Sequence, residues 1–447
     1  MLRRQSFDTS VPAVLVRLDR NPFHHGTLGA ARSLGRAGIP VHAVIESRTS
    51  PVARSRYLRS ARASPGETSD AELAALLHRY ADEIEDEAGT APDGSSTSLL
   101  VLPLDDVSAL GLARRRAELS PRFLLPEQTE EQLLRVADKA ALAETCASLG
   151  LPHPRTELPT GSDEAAAMAW SLGLPVVAKW SRPWLLPAGC GLRSTSIVRS
   201  LAEVRELYAR TPEAGSRLLL QELLPAGRDL DWFFHGYVDA YGGCTTGATG
   251  RKERSWPDGA GLTAVGRWTA NPAVERTARE LFDALGYRGV CDLDFRMNRS
   301  TGAYHLLDFN PRPGAQFRLF ADADGLDVVR ALHLDLTGRP VPPLSAAYGR
   351  RFVVENYAAL SLLASPRRRP AAGAGAGPED VSRRTEYAWC AADDPAPAFA
   401  MGLAWFGHLL RRAVASARRF LRSRRARPPL PPAAPPARSS SHQLTPR

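Results

Sequence analysis

The stretch GVCDLDFRMNRSTGAYHLLDFNPR, residues 289–312, contains two apolar runs joined by a polar turn. Residues 290–296 and 303–310 are rich in apolar side chains interleaved with polar ones, which is typical of β-strands. Between them, residues 298–302 include Asn, Ser and Gly, which favour a turn. The stretch therefore predicts a β-hairpin with one polar and one apolar face.

The polar side chains of this hairpin gather on one side, because residues two apart in a strand share a face. Asp292 and Asp294 share that face of the first strand, and Asp308, Asn310 and Arg312 share it at the end of the second. The opposite face carries apolar residues that we expect in the core, namely Leu293, Phe295, Leu307 and Phe309. Folding is expected to bring the aspartate pair alongside Asp308.

This polar face has the chemistry of a metal and phosphate site. Carboxylate and Asn amide oxygens are hard ligands suited to Mg²⁺ held jointly with a nucleotide phosphate, and the planar fork of Arg312 binds phosphate or carboxylate. The alternatives are a solvated face crossed by salt bridges and a metal-free acid–base hydrolase built on two carboxylates. The neighbouring asparagine, arginine and lysines disfavour the hydrolase.

Lysine is rare in this chain: of 57 basic residues only Lys139, Lys179 and Lys252 are lysines, and the other 54 are arginines. A chain with so strong a preference for arginine has little general use for lysine, so these positions indicate a need for a compact ammonium group. Lys179 ends an apolar strand before a glycine- and hydroxyl-containing loop at residues 181–196, within reach of a phosphate. The alternative is that these are surface lysines retained by chance.

A further candidate segment covers residues 218–229. An apolar strand runs into Gln221 and Glu222, and its backbone can hydrogen-bond an adenine edge. Asp229, seven residues past Glu222, can bind ribose hydroxyls. Taken alone, the pattern favours the simpler interpretation of a buried strand end.

The composition is that of a globular protein. A length of 447 residues suggests two or three domains, and 44% hydrophobic with 23% charged residues excludes a disordered or fibrous chain. No run of 18 apolar residues is present, which argues against a membrane-spanning helix. The short apolar stretch near the N-terminus argues against a secretory signal. Five dispersed cysteines argue against a disulfide framework or a zinc site, and predict a cytoplasmic protein.

Strand and helix patterns alternate along the first part of the chain. Apolar runs at residues 12–17, 39–45 and 98–104 predict strands, and the periodicity of residues 27–38 and 70–88 predicts helices. This alternation predicts a parallel α/β sheet.

The middle of the chain has a different pattern. We expect one helix over residues 127–149, ended by glycine and proline. Strand-like runs at residues 231–237 and 264–269 flank a long polar segment, which we expect to be a loop.

The net charge of +9 is concentrated at the C-terminus. Residues 401–447 contain ten arginines and no acidic residue, so the rest of the chain carries a net charge of −1. The positive net charge of the whole chain is therefore no argument for nucleic-acid binding by the body of the protein. The arginine-rich end also lacks the interleaved aromatic residues of a nucleic-acid surface.

Residues 403–425 repeat apolar residues at helical spacing, with arginines opposite. This pattern predicts a basic amphipathic helix suited to an anionic membrane surface. The alternative is a helix that docks on the protein's own body with its arginines outward. Residues 366–378 and 428–447, rich in proline and small residues, predict a linker and a disordered tail.

Five motifs occur in an order that resembles the ATP-grasp superfamily over residues 125–340. They are Lys139 ahead of Gly-Leu-Pro-His-Pro, Lys179 after Pro-Val-Val-Ala, Gln221-Glu222 with Pro-Ala-Gly-Arg-Asp, Gly-Val-Cys-Asp-Leu-Asp-Phe, and Leu-Leu-Asp-Phe-Asn-Pro-Arg. Residues 26–33, 37–41, 55–57 and 250–254 resemble the carboligase branch near D-aspartate ligases. The chain departs from many members in having aspartate at positions 294 and 308 where they have glutamate, and in a less glycine-rich loop at 181–196.

The resemblance implies a role for each motif residue. Lys139 and Lys179 would contact the nucleotide phosphates, Arg312 would steady the transferring phosphate or the acyl phosphate, and Lys252 would contact the triphosphate or the acceptor. The residues implied for the remaining contacts are Gln221, Glu222 and Leu224 at the adenine, Asp229 at the ribose, and Asp294, Asp308 and Asn310 at Mg²⁺ or Mn²⁺. Asp292 would replace Asp294 if the hairpin register shifted.

The implied architecture is α/β. An N-terminal parallel α/β pre-ATP-grasp domain at residues 1–124 precedes a two-subdomain α+β ATP-grasp domain at 125–345. An irregular extension and linker at 346–402, a basic helix at 403–427 and a disordered tail at 428–447 would follow.

The implied activity is an ATP- and Mg²⁺-dependent ligation. A carboxylate would be activated as an acyl phosphate and captured by an amine or similar nucleophile, held by the N-terminal domain and a loop at 250–268, with release of ADP and phosphate. The expected partners are small-molecule carboxylates and amines without nucleic acid, and residues 403–425 would add peripheral contact with the inner face of the membrane. The alternative is a non-catalytic ATP-binding scaffold recruited through its basic tail.

Overall fold

Two units make up the computed structural model of the chain, Met1–Met401 and Gly402–Arg447. The structure describes residues 6–64, 66, 68–88, 98–257, 261–364 and 384–425, with side chains up to residue 414. The predicted linker at 366–378 and the predicted disordered tail at 428–447 lie outside the described residues.

The N-terminal part of the first unit is built on a parallel sheet, as the alternation of strands and helices predicts. Its strands are β1 (Ala13–Val16), β2 (Val41–Ile45), β3 (Leu58–Ala63), β4 (Leu99–Pro103) and β5 (Phe123–Leu124), in the order β3-β2-β1-β4-β5. The helices are α1 (His25–Arg36), α2 (Asp70–Ala88), α3 (Asp106–Arg114) and α4 (Arg116–Leu119). Every residue of β1, β2 and β4 is buried, which explains their continuous apolar sequences.

Two helices follow where the sequence predicts one helix over residues 127–149. They are α5 (Glu130–Ala137) and α6 (Lys139–Leu149). Between them Asp138 is extended, and its carboxylate accepts hydrogen bonds from the N–H groups of Ala140 and Ala141. This cap begins a new helix, so Lys139 lies in the first turn of α6.

A four-stranded antiparallel sheet comes next. Its strands are β6 (Thr156–Glu157), β7 (Val176–Trp180), β8 (Thr195–Val198) and β9 (Leu218–Glu222), in the order β6-β9-β7-β8. Its helices are α7 (Ser162–Leu172), α8 (Leu201–Ala209) and α9 (Thr211–Ala214). Buried residues of β7, β9, α7 and α8 form one apolar core, and Lys179 lies near the end of β7.

A seven-stranded sheet completes the first unit. Its strands are β10 (Asp231–Val238), β11 (Ala248–Trp256), β12 (Leu262–Trp268), β13 (Gly289–Met297), β14 (Tyr304–Asn310), β15 (Arg351–Val353) and β16 (Thr385–Tyr387). Their order is β14-β13-β10-β11-β12-β15-β16, and neighbours are antiparallel except for β15 and β16. The remaining helices of this part are α10 (Pro272–Leu285), α11 (Val328–Leu336) and α12 (Glu355–Ala364).

One apolar core joins the parallel sheet to the seven-stranded sheet. It contains residues of β1, β2, α1 and α11, together with Tyr237 of β10 and Val290 of β13. The hydroxyl of Ser33 on α1 donates to the Asp327 carboxylate at 2.6 Å, and Asp327 in turn caps α11. The hairpin and the N-terminal helix α1 are therefore parts of one packed body.

The strands predicted at residues 231–237 and 264–269 are present as β10 and β12. The polar segment between them contains β11, so the loop expected there, and over 250–268, is wrong. Two of its charged residues, Lys252 and Glu253, find partners on other strands of the sheet. The Glu253 carboxylate lies 2.6 Å from the guanidinium groups of both Arg267 and Arg351. Paired charges allow a polar sequence to occupy the middle of a sheet. For that reason the polarity of this segment does not indicate a loop.

The hairpin predicted from residues 289–312 is formed by β13 and β14, called here the carboxylate hairpin. Asp292 pairs with Asn310, and Asp294 with Asp308, but after Asp294 the register shifts by one residue. The core position expected for Leu307 is therefore occupied by Leu306, which is 2% exposed, while Leu307 is only partly buried.

Residues 346–402 contain regular structure where an irregular extension was expected. The strands β15 and β16 extend the seven-stranded sheet, and α12 lies between them in sequence. The last helix, α13 (Ala396–Arg425), begins seven residues before the predicted start at 403. In the part of the chain that the structure describes, no helix has both the length and the apolar character to span a bilayer.

Candidate active site

Two lysines from separate elements converge on one carboxylate of the hairpin. The Nζ atom of Lys139 lies 2.9 Å from Oδ1 of Asp308, and the Nζ atom of Lys179 lies 3.3 Å from the same oxygen. Lys179 also donates to the carbonyl oxygen of Leu307 at 2.9 Å. The chain thus places two ammonium groups around the end of the hairpin's second strand.

Local structure holds both lysines in place. The backbone N–H of Lys139 donates to the carbonyl oxygen of Ser181 at 2.8 Å, just past the end of β7. The capping residue Asp138 also pairs with Arg182 at 2.7 Å and accepts a hydrogen bond from the Ser181 hydroxyl. Lys179 lies two residues before Ser181 and is 7% exposed. The start of α6 and the end of β7 are therefore tied together.

The third lysine contacts Asp294, the residue that pairs with Asp308 across the hairpin. The Nζ atom of Lys252 on β11 lies 2.6 Å from Oδ1 of Asp294 on β13. Because β10 separates these two strands, the lysine side chain reaches across it. All three lysines of the chain therefore contact the cross-strand pair formed by Asp294 and Asp308.

A second polar group lies beside the first. Asp292 is buried, with Oδ1 2.9 Å from Nε2 of His235 and Oδ2 accepting from the Asn310 amide at 3.2 Å. Arg312 donates to Oδ1 of Asn310 at 3.4 Å, and its Nε lies 3.4 Å from Oδ1 of Asp106. Both oxygens of Asp292 thus lie close to a polar side chain, which makes this residue a support for the hairpin face.

The charges of the site are strongly coupled. Burial favours the neutral acid at Asp308, but Lys139 and Lys179 outweigh it and hold the pKa of Asp308 well below its ordinary range. Burial lowers the pKa of Lys179, whereas attraction by Asp308 outweighs burial and raises the pKa of Lys139. In the contact between Lys252 and Asp294, burial raises the pKa of Asp294 even though Lys252 opposes this shift. Asp308 is therefore the firmly ionised carboxylate of the pair.

The residues expected at the adenine lie at the end of β9 and just beyond it. The Gln221 amide donates to the Thr156 hydroxyl at 2.9 Å, and the Glu222 carboxylate accepts a backbone N–H just before β6 at 3.1 Å. The carbonyl oxygen of Leu224 accepts from Arg296 of β13 at 3.1 Å. These bonds tie the segment to β6 and to the hairpin, and its role at the adenine stays a prediction.

Asp229 differs from its neighbours in backbone conformation. Its φ of +62° lies in the left-handed region. Its half-exposed carboxylate lies 3.2 Å from Nη1 of Arg251 and 3.5 Å from Nε of Arg228. Arg251 precedes Lys252 on β11, so Asp229 lies beside the strand that supplies a lysine to the hairpin. Its role at the ribose also stays a prediction.

Sequence reasoning missed two residues that contact the hairpin face. His235 is fully buried on β10, and the available signal was a lone polar side chain within an apolar strand. Asp106 begins α3 just after β4, at the carboxyl edge of the parallel sheet, where functional side chains of α/β proteins collect. Neither position belongs to the motifs that identified the hairpin.

The hairpin face suits a divalent cation that is shared with a ligand. Within the described ranges, no three His, Cys, Asp or Glu side chains are gathered as a metal site. The donors are instead Asp294 and Asp308, with the Asn310 amide oxygen beside them. Such hard oxygen ligands fit Mg²⁺ when substrate phosphates complete its coordination. The residues present therefore fit a magnesium–nucleotide complex.

Comparison with curated proteins finds distant relatives. The chain is 24% identical over 216 residues to the N-terminal section of the carbamoyl phosphate synthase large chain of Methanopyrus kandleri, covering 45% of this chain and 36% of that protein. It is 24% identical over 258 residues to the carbamoyl phosphate synthase large chain of Clavibacter michiganensis subsp. michiganensis, covering 56% and 22%. The chain thus spans about a third or less of these relatives. No model of a known protein family matches it.

Comparison with solved structures shows the fold. An ADP complex of N5-carboxyaminoimidazole ribonucleotide synthetase is 14% identical with a TM-score of 0.54, covering 77% of this chain and 81% of that one. The same enzyme of Thermus thermophilus is 17% identical with a TM-score of 0.53, covering 74% and 80%. The biotin carboxylase domain of the Hydrogenobacter thermophilus 2-oxoglutarate carboxylase is 16% identical with a TM-score of 0.53, covering 76% and 72%. The predicted ATP-grasp fold is confirmed.

Proposed function

We propose that this protein is an ATP- and Mg²⁺-dependent ligase that activates a carboxylate as an acyl phosphate, couples it to an amine or similar nucleophile, and releases ADP and phosphate. The observation that carries the proposal is the convergence of all three lysines on Asp294 and Asp308. Buried ion pairs add little net stability by themselves. Three compact cations beside a carboxylate pair are instead what a metal-bound triphosphate requires.

The proteins that share the fold support the choice of nucleotide and reaction. One solved structure holds ADP, and another holds MgADP together with bicarbonate. The curated relatives are named as synthases of carbamoyl phosphate, which is itself an acyl phosphate. An ATP-dependent phosphorylation of a carboxylate by this chain agrees with both.

The residues of the site divide this work among them. Lys139 and Lys179 bind the terminal phosphates, and Arg312 stabilises the transferring phosphoryl group. Catalysis of phosphoryl transfer depends mainly on positioning and electrostatics, and these cations are in place before substrate arrives. Mg²⁺ on the hairpin carboxylates, when bound, supplies further positive charge to the phosphate oxygens. Lys252 contacts the triphosphate or the acceptor.

The remaining assignments extend outward from the hairpin. We place the adenine along the backbone of residues 221–224, with Gln221, Glu222 and Leu224, and the ribose at Asp229. The acceptor is an amine or similar nucleophile, in keeping with the resemblance of the sequence to the carboligase branch near D-aspartate ligases. The competing proposal, an ATP-binding scaffold without turnover, predicts nucleotide binding with no product under any substrate.

The nucleotide product tests the reaction class. In a screen of small acids and amino acids, we expect substrate-dependent release of ADP and phosphate, because the cations gather where terminal phosphates would lie. When hydroxylamine replaces the natural amine, an acyl phosphate is expected to yield a hydroxamate. Both products can be measured by chromatography and by the iron–hydroxamate colour reaction.

The controls for this screen are reactions that lack either ATP or the acid. AMP and pyrophosphate as products would contradict the acyl-phosphate route and indicate an adenylate. ATP binding without turnover across a broad screen of acids and amines would favour the scaffold.

We further propose that the C-terminal helix contacts anionic membrane surfaces. On α13, Leu403, Phe406 and Leu410 recur at helical spacing and are 78%, 69% and 56% exposed. Arg411 and Arg412 follow, and further arginines continue to the C-terminus. Exposed apolar residues flanked by arginines are the composition of an interfacial helix.

Vesicle sedimentation tests this contact. The full chain is expected to sediment with vesicles of anionic lipid at low salt and less at high salt, since salt screens the arginines. A Leu403→Gln/Phe406→Gln/Leu410→Gln variant is expected to lose most of this binding. Leu363→Gln, at a residue 80% exposed on α12, is the matched control. Equal sedimentation of the triple variant and the wild type would remove the membrane proposal.

A further inference from the structure

A cavity of about 390 Å³ lies in the first unit and is lined by none of the hairpin residues. One wall is a single face of α1, where His25, Gly29, Arg32 and Arg36 follow one another at helical spacing. The other walls come from a 3-10 helix at Phe317–Phe320, from the region of β15 and β16, and from residues that follow β16. A volume of this size suits a small molecule.

Arginine dominates the lining of this space, called here the arginine cavity. Its charged lining residues are Arg32, Arg36, Arg318, Arg350 and Arg384, against Glu386 and Asp393. Guanidinium groups bind carboxylates and phosphates through two parallel hydrogen bonds. Asp394 and Asp327, just outside the lining, pair with Arg32 and Arg318, so five arginines stand against four acids. The remaining positive charge favours an anionic ligand.

Several of these arginines are held rigidly. The Nε atom of Arg32 lies 2.9 Å from Asp394, and the arginine is 3% exposed. Arg318 lies 2.5 Å from Asp327 and 3.0 Å from Glu386, on two sides of its guanidinium group. Because these groups are ordered before any ligand arrives, less conformational freedom is lost on binding.

Three buried polar atoms at the cavity have no hydrogen-bond partner among the described residues. They are Nδ1 and Nε2 of His25 and Nε of Arg350. The two residues are 5% and 9% exposed. Burial lowers the pKa of His25 to about 4, so at neutral pH its ring offers one donor and one acceptor. Buried polar atoms without partners are costly, and an anionic ligand with a further polar group would satisfy them.

The cavity adjoins the hairpin site through one short segment. Residues 311–316 connect β14 of the carboxylate hairpin to the 3-10 helix that lines the cavity. Within this segment Gly314 packs closely against Asp292 of the hairpin, and Ala315 packs against Gly26 at the start of α1. The same segment therefore contacts the hairpin site and the helix that forms the cavity wall.

We propose that the arginine cavity binds a small anionic ligand, a carboxylate or a phosphate, at a site separate from the carboxylate hairpin. Anion binding is inferred from the cavity itself and does not rest on the proposed ligase function. Arg350 and His25 would contact the bound anion.

Cys390 provides a direct probe, because this cysteine is exposed and lines the cavity. Alkylation of each cysteine of the full chain by iodoacetamide would be followed by mass spectrometry, without ATP, in the presence of succinate or inorganic phosphate. We expect at least one of these anions to slow alkylation of Cys390, and neutral succinamide to have no effect. Comparison of the two anions distinguishes a carboxylate site from a phosphate site. Cys190, between β7 and β8, is the internal control.

Two variants separate ligand binding from a structural role. Arg350→Lys keeps a positive charge next to Glu386 but removes the planar fork, so anion affinity is expected to fall by about tenfold, as for one lost charge-assisted hydrogen bond. His25→Leu removes both unpartnered ring nitrogens, so it should weaken anion binding while the unfolding temperature of the free protein stays the same or rises. Arg279→Lys on α10, an exposed arginine paired with Glu275, is the matched control.

Three results would overturn the proposal. They are no protection of Cys390 by either anion, equal protection in the wild type and both variants, and equal slowing of Cys190. The binding measurement needs no turnover, so its failure is distinct from failure of the ligase proposal. Anion binding without ADP formation contradicts only the ligase, whereas ADP formation without protection of Cys390 contradicts only the cavity site.

Discussion

Asp308→Asn is expected to lower ATP turnover by at least about a hundredfold, the loss seen when one group that stabilises transition-state charge is removed. Asp308 accepts contacts from Lys139 and Lys179 and is the firmly ionised carboxylate of the hairpin. Asparagine keeps the shape of the side chain but removes its charge, so both the metal and the two lysines lose their anion. Substrate-dependent ADP release by the full chain measures the effect.

The matched control for this substitution is Asp163→Asn on α7. The Asp163 side chain is 95% exposed and pairs only at the surface with Arg205, so turnover is expected to stay unchanged. Circular dichroism and thermal unfolding would establish that Asp308→Asn remains folded. Near-normal turnover of a folded Asp308→Asn protein would remove the carboxylate hairpin from the active site.

Lys179→Arg is expected to lose at least about nine-tenths of the activity, although the charge is kept, because arginine is larger, planar and differently hydrated. The ammonium group of Lys179 is buried between the Leu307 carbonyl oxygen at 2.9 Å and Asp308 at 3.3 Å. A guanidinium group does not fit the same contacts without displacing β7 or the hairpin. We expect kcat to fall and the KM for ATP to rise.

The control exchanges the same two residue types in the opposite direction. Arg122→Lys alters a partly buried arginine that pairs with Asp82 and Glu85, away from the hairpin, and is expected to leave turnover unchanged. If Lys179→Arg retained wild-type kcat and KM, charge alone would be sufficient at this position. The argument from the rarity of lysine would then be wrong.

The hairpin was predictable from sequence because its two strands carry alternating polar and apolar residues with a turn between them. That pattern placed Asp292, Asp294, Asp308 and Asn310 on one face, where the structure has them. The parallel N-terminal sheet was equally readable, since its buried strands are uninterrupted apolar runs. In both cases the spacing of apolar residues along the sequence indicates which side chains are buried.

Other features depend on contacts that are distant in sequence. The bulge after Asp294 moves Leu306 into the place expected for Leu307, and no local pattern encodes such a shift. The strand β11 tolerates a polar sequence because Lys252 and Glu253 are matched by charged side chains on other strands. The break of the predicted helix at Asp138 follows from a cap that only the folded chain makes evident.

The candidate site likewise combines features that the local sequence predicts with features that depend on contacts distant in sequence. The three lysines were singled out by their rarity, but their convergence on the Asp294–Asp308 pair requires three separate elements to meet. His235 and Asp106 reach the hairpin from β10 and α3, and neither has a spacing relation to it in sequence. The arginine cavity was equally unreadable, since α1 and β16 lie more than 300 residues apart.

The Asp138 cap has a mechanical consequence. Through Ser181 and Arg182 it links the first turn of α6 to the end of β7. Lys139 and Lys179 therefore belong to one rigid unit. If this unit moved away from the hairpin, both ammonium groups would leave Asp308 together, and they would return to it together. The relative alignment of these two cations, forty residues apart in sequence, is therefore set when the chain folds rather than at each encounter with a ligand.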